Sequence, residues 1–245
     1  IQFLSDHYSA ILDIDPYQYK MIQGIDFYQY VLSKSANFSN IEFRYEKVDA
    51  ISTENEFATV HLASGNCTAE FLFNSVLFPE TKEQMLKNNG KFLLLQHFKG
   101  WMIKTKEPVF DSSIATMMDF RTSQSKGTTF FYVMPLTNST ALVEYTLFSE
   151  SVLPDELYQT ALINYIKNDL KILDYEIVQE EFGIIPMTNK SFPLQNQRIV
   201  YMGLAGGQAK GSSGYAFQFI QKRTAAIVNA LKKGKKNFDF AAFNQ

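Results

Sequence analysis

A glycine-rich segment near the end of the chain has the composition of a ligand-binding loop. The apolar run 198–202 leads into residues 203–217, which contain five glycines, and a helical pattern then extends from about Tyr215 to Lys233. Glycines let the backbone approach a ligand closely, and the free N–H groups of a helix's first turn are ready donors. The segment therefore predicts a cofactor cradle, with a tight turn that binds nothing as the alternative.

One carboxylate, Glu144, interrupts a strand-like apolar run over residues 140–148. Strand alternation places Leu142, Thr146 and Phe148 on the same face as Glu144. Burial among apolar side chains raises the pKa of a carboxyl, so that it keeps its proton nearer to neutral pH. The pattern indicates a candidate general acid, and a glutamate at an exposed sheet edge is the alternative.

The first part of the chain should contain one helix and a small antiparallel meander. Asp15 and Pro16 are residue types preferred at the N-cap and the first helical position, and apolar residues then recur at helical spacing, so we expect a helix over 16–35. Strand-like runs follow over residues 41–46, 58–62 and 67–78.

Strand-like runs dominate the middle of the chain and predict a mostly antiparallel sheet. They cover residues 91–98, 101–106, 114–121, 128–135 and 140–148. A second helix should open at Pro154, and residues 175–186 return to a strand pattern before the glycine-rich segment. Gly234 stands where a C-terminal cap would end the last helix.

Four segments, taken in order, resemble the lycopene cyclase family of flavoproteins, and most closely its bacterial single-chain β-cyclases. They are residues 96–101 with 107–111, residues 115–121, residues 142–146, and residues 183–188 with the glycine-rich segment. Leu-Val-Glu-Tyr-Thr at 142–146 looks like the family's Phe-Leu-Glu-Glu-Thr motif. The resemblance covers roughly residues 15–235, and it is the combination that is specific rather than any single motif.

The resemblance implies an acid-catalysed cyclisation of an acyclic carotenoid such as lycopene. A carboxylic acid protonates the terminal double bond, an internal double bond attacks the resulting tertiary cation, and loss of a proton leaves a β-ring. By its position in the motif, Glu144 corresponds to the catalytic acid. Family members need reduced FAD, formed with NAD(P)H, although no net oxidation occurs. The residues implied to lie against the flavin are Gly203, Ala205, Gly206, Gly207 and Gly214.

Further side chains are candidates for the substrate cavity and its support. A carotenoid suits flat apolar walls, and aromatic faces also stabilise a carbocation. The cavity candidates are His97, Phe98, Trp101, Met118 and Phe120. Asp119 and Arg121 would orient the flavin or the acid. The structural alternatives are core packing for the cavity candidates, a hydrogen-bonded histidine for His97 and an ion pair for Asp119 with Arg121.

The sequence departs from the family pattern in two places. The family opens with a strand and a Gly-x-Gly-x-x-Gly turn that holds the pyrophosphate of FAD, and no such turn occurs here. We therefore expect that the chain lacks its first portion, binds FAD weakly or not at all, and does not cyclise carotenoids by itself. The second acidic residue of the motif is Tyr145 here.

Composition argues against several other classes of protein. The net charge of −2 and the pI near 6.0 disfavour a general nucleic-acid binder. The single cysteine, Cys67, permits no internal disulfide, and the three scattered histidines show no metal-ligand spacing. No apolar run is long enough to span a bilayer. We expect peripheral contact at the cytoplasmic face of a membrane, for which the lysines within 232–236 are candidates; a solvated helix end is their alternative role.

Together these patterns predict an α+β chain divided by insertion. Residues 1–80 and 195–245 should form an incomplete α/β FAD-binding flavoprotein fold, and residues 81–194 an antiparallel-sheet substrate domain. A flavin-dependent lycopene β-cyclase is the leading function, favoured by the acid motif. An isoprenoid reductase or hydroxylase that uses FAD and NAD(P)H, and a non-catalytic carrier of apolar ligands, are the alternatives.

Overall fold

The computed structural model describes residues 1–77 and 92–238 and confirms an α+β fold. Its strands are β1 (Gln2–Ser5), β2 (Tyr8–Ile11), β3 (Val48–Glu54), β4 (Phe57–Leu62), β5 (Gly65–Ala69), β6 (Leu72–Asn74), β7 (Leu93–Lys104), β8 (Thr116–Asp119), β9 (Thr128–Thr137), β10 (Thr140–Ser149), β11 (Glu176–Thr188), β12 (Gln195–Asn196) and β13 (Ile199–Tyr201). Its α-helices are α1 (Gly24–Ser35), α2 (Asp155–Asn168) and α3 (Phe217–Lys232).

The chain divides into two compact units. The larger one contains Ile1–Leu12, Phe73–Asn196 and Val200–Gln245, and the smaller one contains Asp13–Leu72 and Gln197–Ile199. The predicted division into cofactor and substrate domains has different boundaries, and it concerns the roles of the residues rather than their compactness. That division stays a prediction.

A seven-stranded sheet of order β11-β7-β10-β9-β8-β1-β2 forms the larger unit's main layer. All its pairs are antiparallel except β1 with β8, which are parallel. The antiparallel sheet predicted over 91–148 is confirmed from Leu93 onward, whereas Lys91 lies outside the described residues. The prediction omitted residues 2–11 from this sheet, because two strands of four residues show too little periodicity to be recognised.

Strand β7 runs without a break where the sequence predicts two strands. The pair Lys99-Gly100 interrupts the apolar pattern, yet both residues belong to the ladder. The buried ammonium of Lys99 lies 2.7 Å from the carboxylate of Asp155, and Gly100 pairs with a residue on each neighbouring strand. A buried but paired lysine therefore continues the strand instead of ending it.

Helix α2, which begins directly after Pro154 as predicted, packs on one face of this sheet. We call this side the helix face; it carries Val143, Tyr145 and Leu147 of β10. The opposite side, which carries Leu142, Glu144 and Thr146, is called the acid face. The core under α2 contains Trp101, Ile103, Phe131, Val133, Ala141, Val143, Tyr145, Leu147, Tyr158, Leu162, Tyr165, Ile166 and Ile172.

In the smaller unit β3, β4 and β5 form an antiparallel meander, as predicted in outline. Two details of the prediction were wrong. The helix begins at Gly24 rather than at residue 16, because the N–H of Tyr17 instead bonds the carbonyl of Ile14 and closes a turn around Pro16. Residues 41–46 are exposed and irregular, and the meander's first strand is β3. Helix α1 has no buried residue.

The C-terminal strand–loop–helix unit is present with a slightly shorter helix. Strand β13 belongs to a small sheet of order β12-β13-β6 and leads through the glycine-rich loop to α3, which begins at Phe217 rather than Tyr215. Gly234 has a φ of +67°, and the N–H groups of Gly234 and Lys235 bond carbonyls in the last turn of α3. The predicted glycine cap is confirmed.

Candidate active site

Glu144 lies on the acid face in a row of residues from four neighbouring strands. It pairs with Gly100 of β7 and Tyr132 of β9, and Gly100 pairs in turn with Glu181 of β11. Residues directly opposite one another project to the same face. A Cβ built on Gly100 would lie 2.9 Å from both Cγ and Oε1 of Glu181. The glycine thus leaves the space in which the carboxyls of Glu181 and Glu144 meet.

The environment of Glu144 keeps its carboxyl protonated. Burial raises the pKa of Glu144 to about 8, and the hydrogen-bonded carboxyl of Glu181 acts in the same direction. The hydroxyl of Thr146 donates to Glu144 Oε1 at 2.6 Å and opposes this rise in pKa. A carboxyl with a pKa near 8 is mostly neutral at pH 7. Glu144 can therefore donate a proton where an exposed glutamate would be ionised.

Aromatic rings cover the acid face beside this carboxyl. Phe130, which pairs with Thr146, lies with its ring centroid 5.5 Å from Phe120, 5.1 Å from Tyr132 and 6.0 Å from Phe148. Phe98 also pairs with Thr146 and lies against Gly183 of β11, which has no side chain to displace it. Two predicted cavity residues, Phe98 and Phe120, therefore share the acid face with Glu144.

Two other predicted cavity residues, His97 and Trp101, lie on the helix face. The ring nitrogens of the fully buried His97 lie 2.5 Å from the hydroxyl of Tyr158 and 2.7 Å from that of Ser149. Burial lowers the pKa of His97. Trp101 is part of the core under α2. The alternation of β7 places both residues on the opposite face from Glu144, where they have the contacts of their structural alternatives, and their cavity role stays a prediction.

Asp119 and Arg121 form a paired group that also lies on the helix face. Arg121 donates to the Asp119 carboxylate through Nε and Nη2, at 2.9 and 2.6 Å, and the hydroxyl of Tyr165 donates to it at 2.7 Å. Burial by itself raises the pKa of Asp119, but these hydrogen bonds hold it below its usual range. The geometry supports the structural alternative, because the pair binds helix α2. Met118 is partly buried opposite Phe3, and its cavity role stays a prediction.

The glycine-rich segment forms a closely packed loop. After β13 the chain makes one 3-10 turn over Gly203–Gly206, and Gly203, Gly207 and Gly214 have φ angles of +56°, +66° and +72°. A side chain at Gly206 would collide with the carbonyl of Tyr201. Left-handed backbone and close approach are the reasons for glycine at these positions. Ala205 and Gly206 are buried, and contact of the five predicted residues with a flavin stays a prediction.

Two buried side chains that no sequence pattern indicates, Gln208 and Arg223, fix this loop to α3. Gln208 accepts from the N–H of Gly203 and donates through Nε2 to the carbonyl of Phe219 at 3.2 Å. Arg223 donates to the carbonyl of Gly206 at 3.1 Å. Isolated polar residues in a loop and a helix have no sequence pattern that reveals such contacts. They hold the loop in one conformation.

The start of α3 offers polar groups that suit a ligand with polar ring edges. Within the described residues no side chain caps the helix at Ala216, so its first N–H groups point outward. Among those same residues, two buried oxygens have no hydrogen-bond partner, Ser213 Oγ and Gln96 Oε1, and Gln96 lies against Gly214. Buried polar atoms normally have partners. The residues present therefore fit a flavin-type ring at this loop.

Glu181 and Gly100 were also missed, although a weak signal was present for both. A glycine inside a strand marks the close approach of another group. Alternation in β11 places Glu181 on one face with Gly183, in a strand that the sequence did predict. The carboxyls of Glu144 and Glu181 face each other only because of the register between β10, β7 and β11. The sequence alone does not provide this register.

The chain matches the family model described as "Lycopene cyclase protein" over residues 3–242. The chain belongs to the lycopene cyclase family. No curated protein sequence matches it. The lycopene cyclase match includes Glu144, Glu181 and the glycine-rich loop, so the candidate site lies wholly inside it.

Solved structures share the fold at low sequence identity. A geranylgeranyl bacteriochlorophyll reductase-like protein from Thermoplasma acidophilum has a TM-score of 0.68 at 12% identity, over 96% of this chain and 62% of that one. The p-nitrophenol 4-monooxygenase PnpA from Pseudomonas putida DLL-E4 has a TM-score of 0.54 at 13% identity, over 84% and 54%. The flavin-dependent brominase Bmp2 has a TM-score of 0.51 at 13% identity, over 89% and 59%. The chain thus spans less than two thirds of each.

The described residues contain neither a membrane-spanning helix nor a metal-binding cluster. None of the helices there combines the length and the apolar character needed to cross a membrane. Over the same residues, no three His, Cys, Asp or Glu side chains are grouped so that they could hold a metal ion.

Proposed function

We propose that this chain carries the catalytic acid and part of the flavin site of a lycopene β-cyclase. The observation that supports this most directly is Glu144, a carboxyl held protonated near neutral pH on an aromatic sheet face. Glu144 also occupies the position of the acid in the motif of its family. Membership in the lycopene cyclase family supports the cyclisation chemistry. That the product is a β-ring is the more specific part of what we propose.

The proposed reaction begins with proton donation from Glu144. Its O–H bond breaks, and the electron pair of the carotenoid's terminal double bond forms a new C–H bond, which leaves a tertiary cation. An internal double bond attacks this cation and closes a six-membered ring. A C–H bond of the ring cation then breaks: its electron pair forms the ring double bond, and its proton passes to the Glu144 carboxylate, so that one proton is taken up and one is released. Glu144 regains its acid form, and the substrate is isomerised without net oxidation.

The aromatic rings of the acid face provide the surroundings that this reaction needs. Phe120, Tyr132 and Phe148 form a partly covered apolar surface next to Glu144. Their π faces attract positive charge, which would stabilise the cation. The low polarity of the surface also keeps Glu144 neutral until it transfers its proton.

FAD is the proposed cofactor, held by the glycine-rich loop and the start of α3. Gly203, Ala205, Gly206, Gly207 and Gly214 would allow its close approach. The uncapped N-terminus of α3 and the hydroxyl of Ser213 would meet its polar edge. When bound, reduced FAD, for which NAD(P)H is the proposed reductant, would supply electron density that stabilises a nearby positive charge. Gln96 would contact the same edge from β7.

We further propose that the protein meets its substrate at the cytoplasmic face of a membrane. Lycopene dissolves in lipid, so the acid face must receive it from a bilayer. The lysines at residues 232, 233, 235 and 236 are exposed around the end of α3. Such a cluster is attracted to anionic headgroups by roughly 1 kcal/mol for each lysine near the surface.

Pigment analysis in a lycopene-producing bacterium tests the function. The complete gene product should form β-rings, and Glu144→Gln should lose at least about 100-fold of this activity, because an amide cannot replace the acid. Glu150→Gln is the matched control, since Glu150 is an exposed residue just after the same strand. It should retain native activity. Folding of each variant is checked by circular dichroism.

The same experiment separates the alternatives. A folded, flavin-loaded native protein that leaves lycopene unchanged would exclude the cyclase and favour a reductase or hydroxylase of another isoprenoid. Full activity of Glu144→Gln would exclude Glu144 as the acid. Tight carotenoid binding without flavin, unaffected by reductant, would indicate the non-catalytic carrier.

A further inference from the structure

The proposed reaction uses one carboxyl of the acid face and leaves a second one unexplained. Glu181 stands opposite Gly100 on β11, and its carboxyl extends over the glycine to hydrogen-bond Glu144. Two carboxyls in contact cannot both ionise without strong repulsion, so such a pair retains one proton over a wide range of pH. A hydrogen bond between two carboxyls likewise requires that one of them carries a proton.

We propose that Glu181 is a positioning residue for the acid, sharing one proton with Glu144 across Gly100. Its carboxylate accepts the hydrogen bond from the Glu144 O–H and so keeps the proton on Glu144 and fixes the direction of that bond. Its role in cyclisation rests on the proposed function. The sharing of the proton is a property of the two side chains and stands independently of the reaction.

The groups that face Glu144 from each adjacent strand identify Glu181 as the charged partner. Tyr132 lies opposite it on β9, Thr146 donates to it from β10, and Gly100 presents no side chain on β7. Lys99 of β7 projects to the helix face, where its ammonium lies 2.7 Å from Asp155 and 3.4 Å from Glu180. The nearest lysine along the strand is therefore already paired on the other side of the sheet.

Gly100 is what makes the meeting of the two carboxyls possible. A Cβ there would lie only 2.9 Å from Oε1 of Glu181 and 3.0 Å from Cδ1 of Leu142, so one of these side chains would have to move. The atoms in the way belong to flexible side chains rather than to backbone. Gly100→Ala should therefore fold while it displaces the Glu181 carboxyl from Glu144.

Infrared spectroscopy of the complete gene product tests the shared proton without any substrate. The protonated carboxyl band that disappears in Glu144→Gln belongs to Glu144, and its loss with rising pH gives the midpoint of that group. Glu181→Gln should lower this midpoint by about 1 pH unit, because it removes the like charge and adds an amide donor. Gly100→Ala should shift it in the same direction with all charges retained.

Glu180→Gln is the matched control. It removes one carboxylate from the same strand, one residue away, but from the helix face. The midpoint of the Glu144 band should not change. An equal shift in Glu180→Gln and Glu181→Gln would reflect net charge alone and overturn the inference. Unchanged midpoints in both Glu181→Gln and Gly100→Ala would overturn it as well.

The pH profile of β-ring formation then tests the catalytic role. If the midpoint falls by one unit, Glu181→Gln should be about fivefold less active than the native protein at pH 8 and nearly as active at pH 6. A merely structural role would lower activity equally at both values of pH. A native protein that forms no β-rings, yet shows the infrared shift, would refute the proposed function and leave the shared proton established.

Discussion

The two faces of the seven-stranded sheet shift the pKa of their carboxyls in opposite directions. On the helix face, Asp119 is fully buried, and its pKa is held below the usual range. On the acid face, the pKa of the partly buried Glu144 rises to about 8. Burial favours the neutral form in both cases. The difference lies in the partners, because Asp119 accepts from Arg121 and Tyr165 while Glu144 meets a second carboxyl.

Within one sheet, the carboxyl of the helix face contributes to stability, and the carboxyl of the acid face is suited to chemistry. A buried carboxylate that is fully hydrogen-bonded holds the strands and helix α2 together. A neutral carboxyl beside another carboxyl adds little to the fold and costs stability when it must ionise. Removing the first should weaken the protein, and removing the second should strengthen it at alkaline pH.

Loss of Asp119 should have the largest effect on stability. Asp119→Ala leaves the guanidinium of Arg121 and the hydroxyl of Tyr165 without their shared acceptor, and the free energy of unfolding should fall by about 3–5 kcal/mol. Chemical denaturation at pH 7 measures this. Asp174→Ala is the control, because Asp174 pairs with Lys106 on the exposed surface and should change stability by less than about 1 kcal/mol. Equal losses would contradict the contrast.

Glu144→Gln should stabilise the protein as the pH rises. The folded-state pKa of Glu144 is raised, so the native protein loses stability between the unfolded pKa near 4.3 and the folded value of about 8. The variant should avoid this loss, which is roughly 3–4 kcal/mol between pH 5 and pH 8. Thermal unfolding at both values of pH measures the difference. A variant that follows the native pH dependence would show that Glu144 ionises freely.

For Asp119 we expect the opposite dependence of stability on pH, at acidic pH. Because its folded-state pKa is lowered, its contribution is present above the unfolded value near 4 and is lost as the pH falls below it.

Tyr165→Phe should have the smallest effect of the three. It removes one hydrogen bond to Asp119, which should cost about 1–2 kcal/mol, and it keeps the stacked ring 3.8 Å from that of Phe131. Arg121 still pairs with Asp119 in this variant. Denaturant unfolding against Tyr8→Phe, a change at an exposed tyrosine, measures the loss. A loss as large as that of Asp119→Ala would mean that the aromatic stack depends on the hydroxyl.

Sequence patterns predicted the central strands of the larger sheet, because runs such as β9 and β10 are apolar stretches of strand length rich in aromatic and β-branched residues. They predicted the start of α1 poorly. Pro16 has the residue type of a helix start, but the turn at Ile14–Tyr17 uses the same proline and the helix begins at Gly24. Local preference cannot distinguish the two, since both place proline early in a turn.

The sequence could predict only those features of the candidate site that depend on one strand alone. Alternation in β10 correctly placed Glu144 with Leu142 and Thr146, and the resemblance to the family marked it as the candidate acid. The partnership with Glu181 depends on the register of three strands. His97 and Trp101 show the same limit, because membership in a motif does not reveal on which face of β7 a side chain lies.

The burial of Trp101 gives the protein an optical probe of its own. It is the chain's one tryptophan, it is 3% exposed, and it lies in the core of the helix face. Its fluorescence maximum should therefore be blue-shifted and should move to longer wavelength when water enters that core. The fluorescence of Trp101 thus reports on the helix face, and the infrared band of Glu144 reports on the acid face. Recorded on the same heated sample, the two signals would time the loss of each face separately.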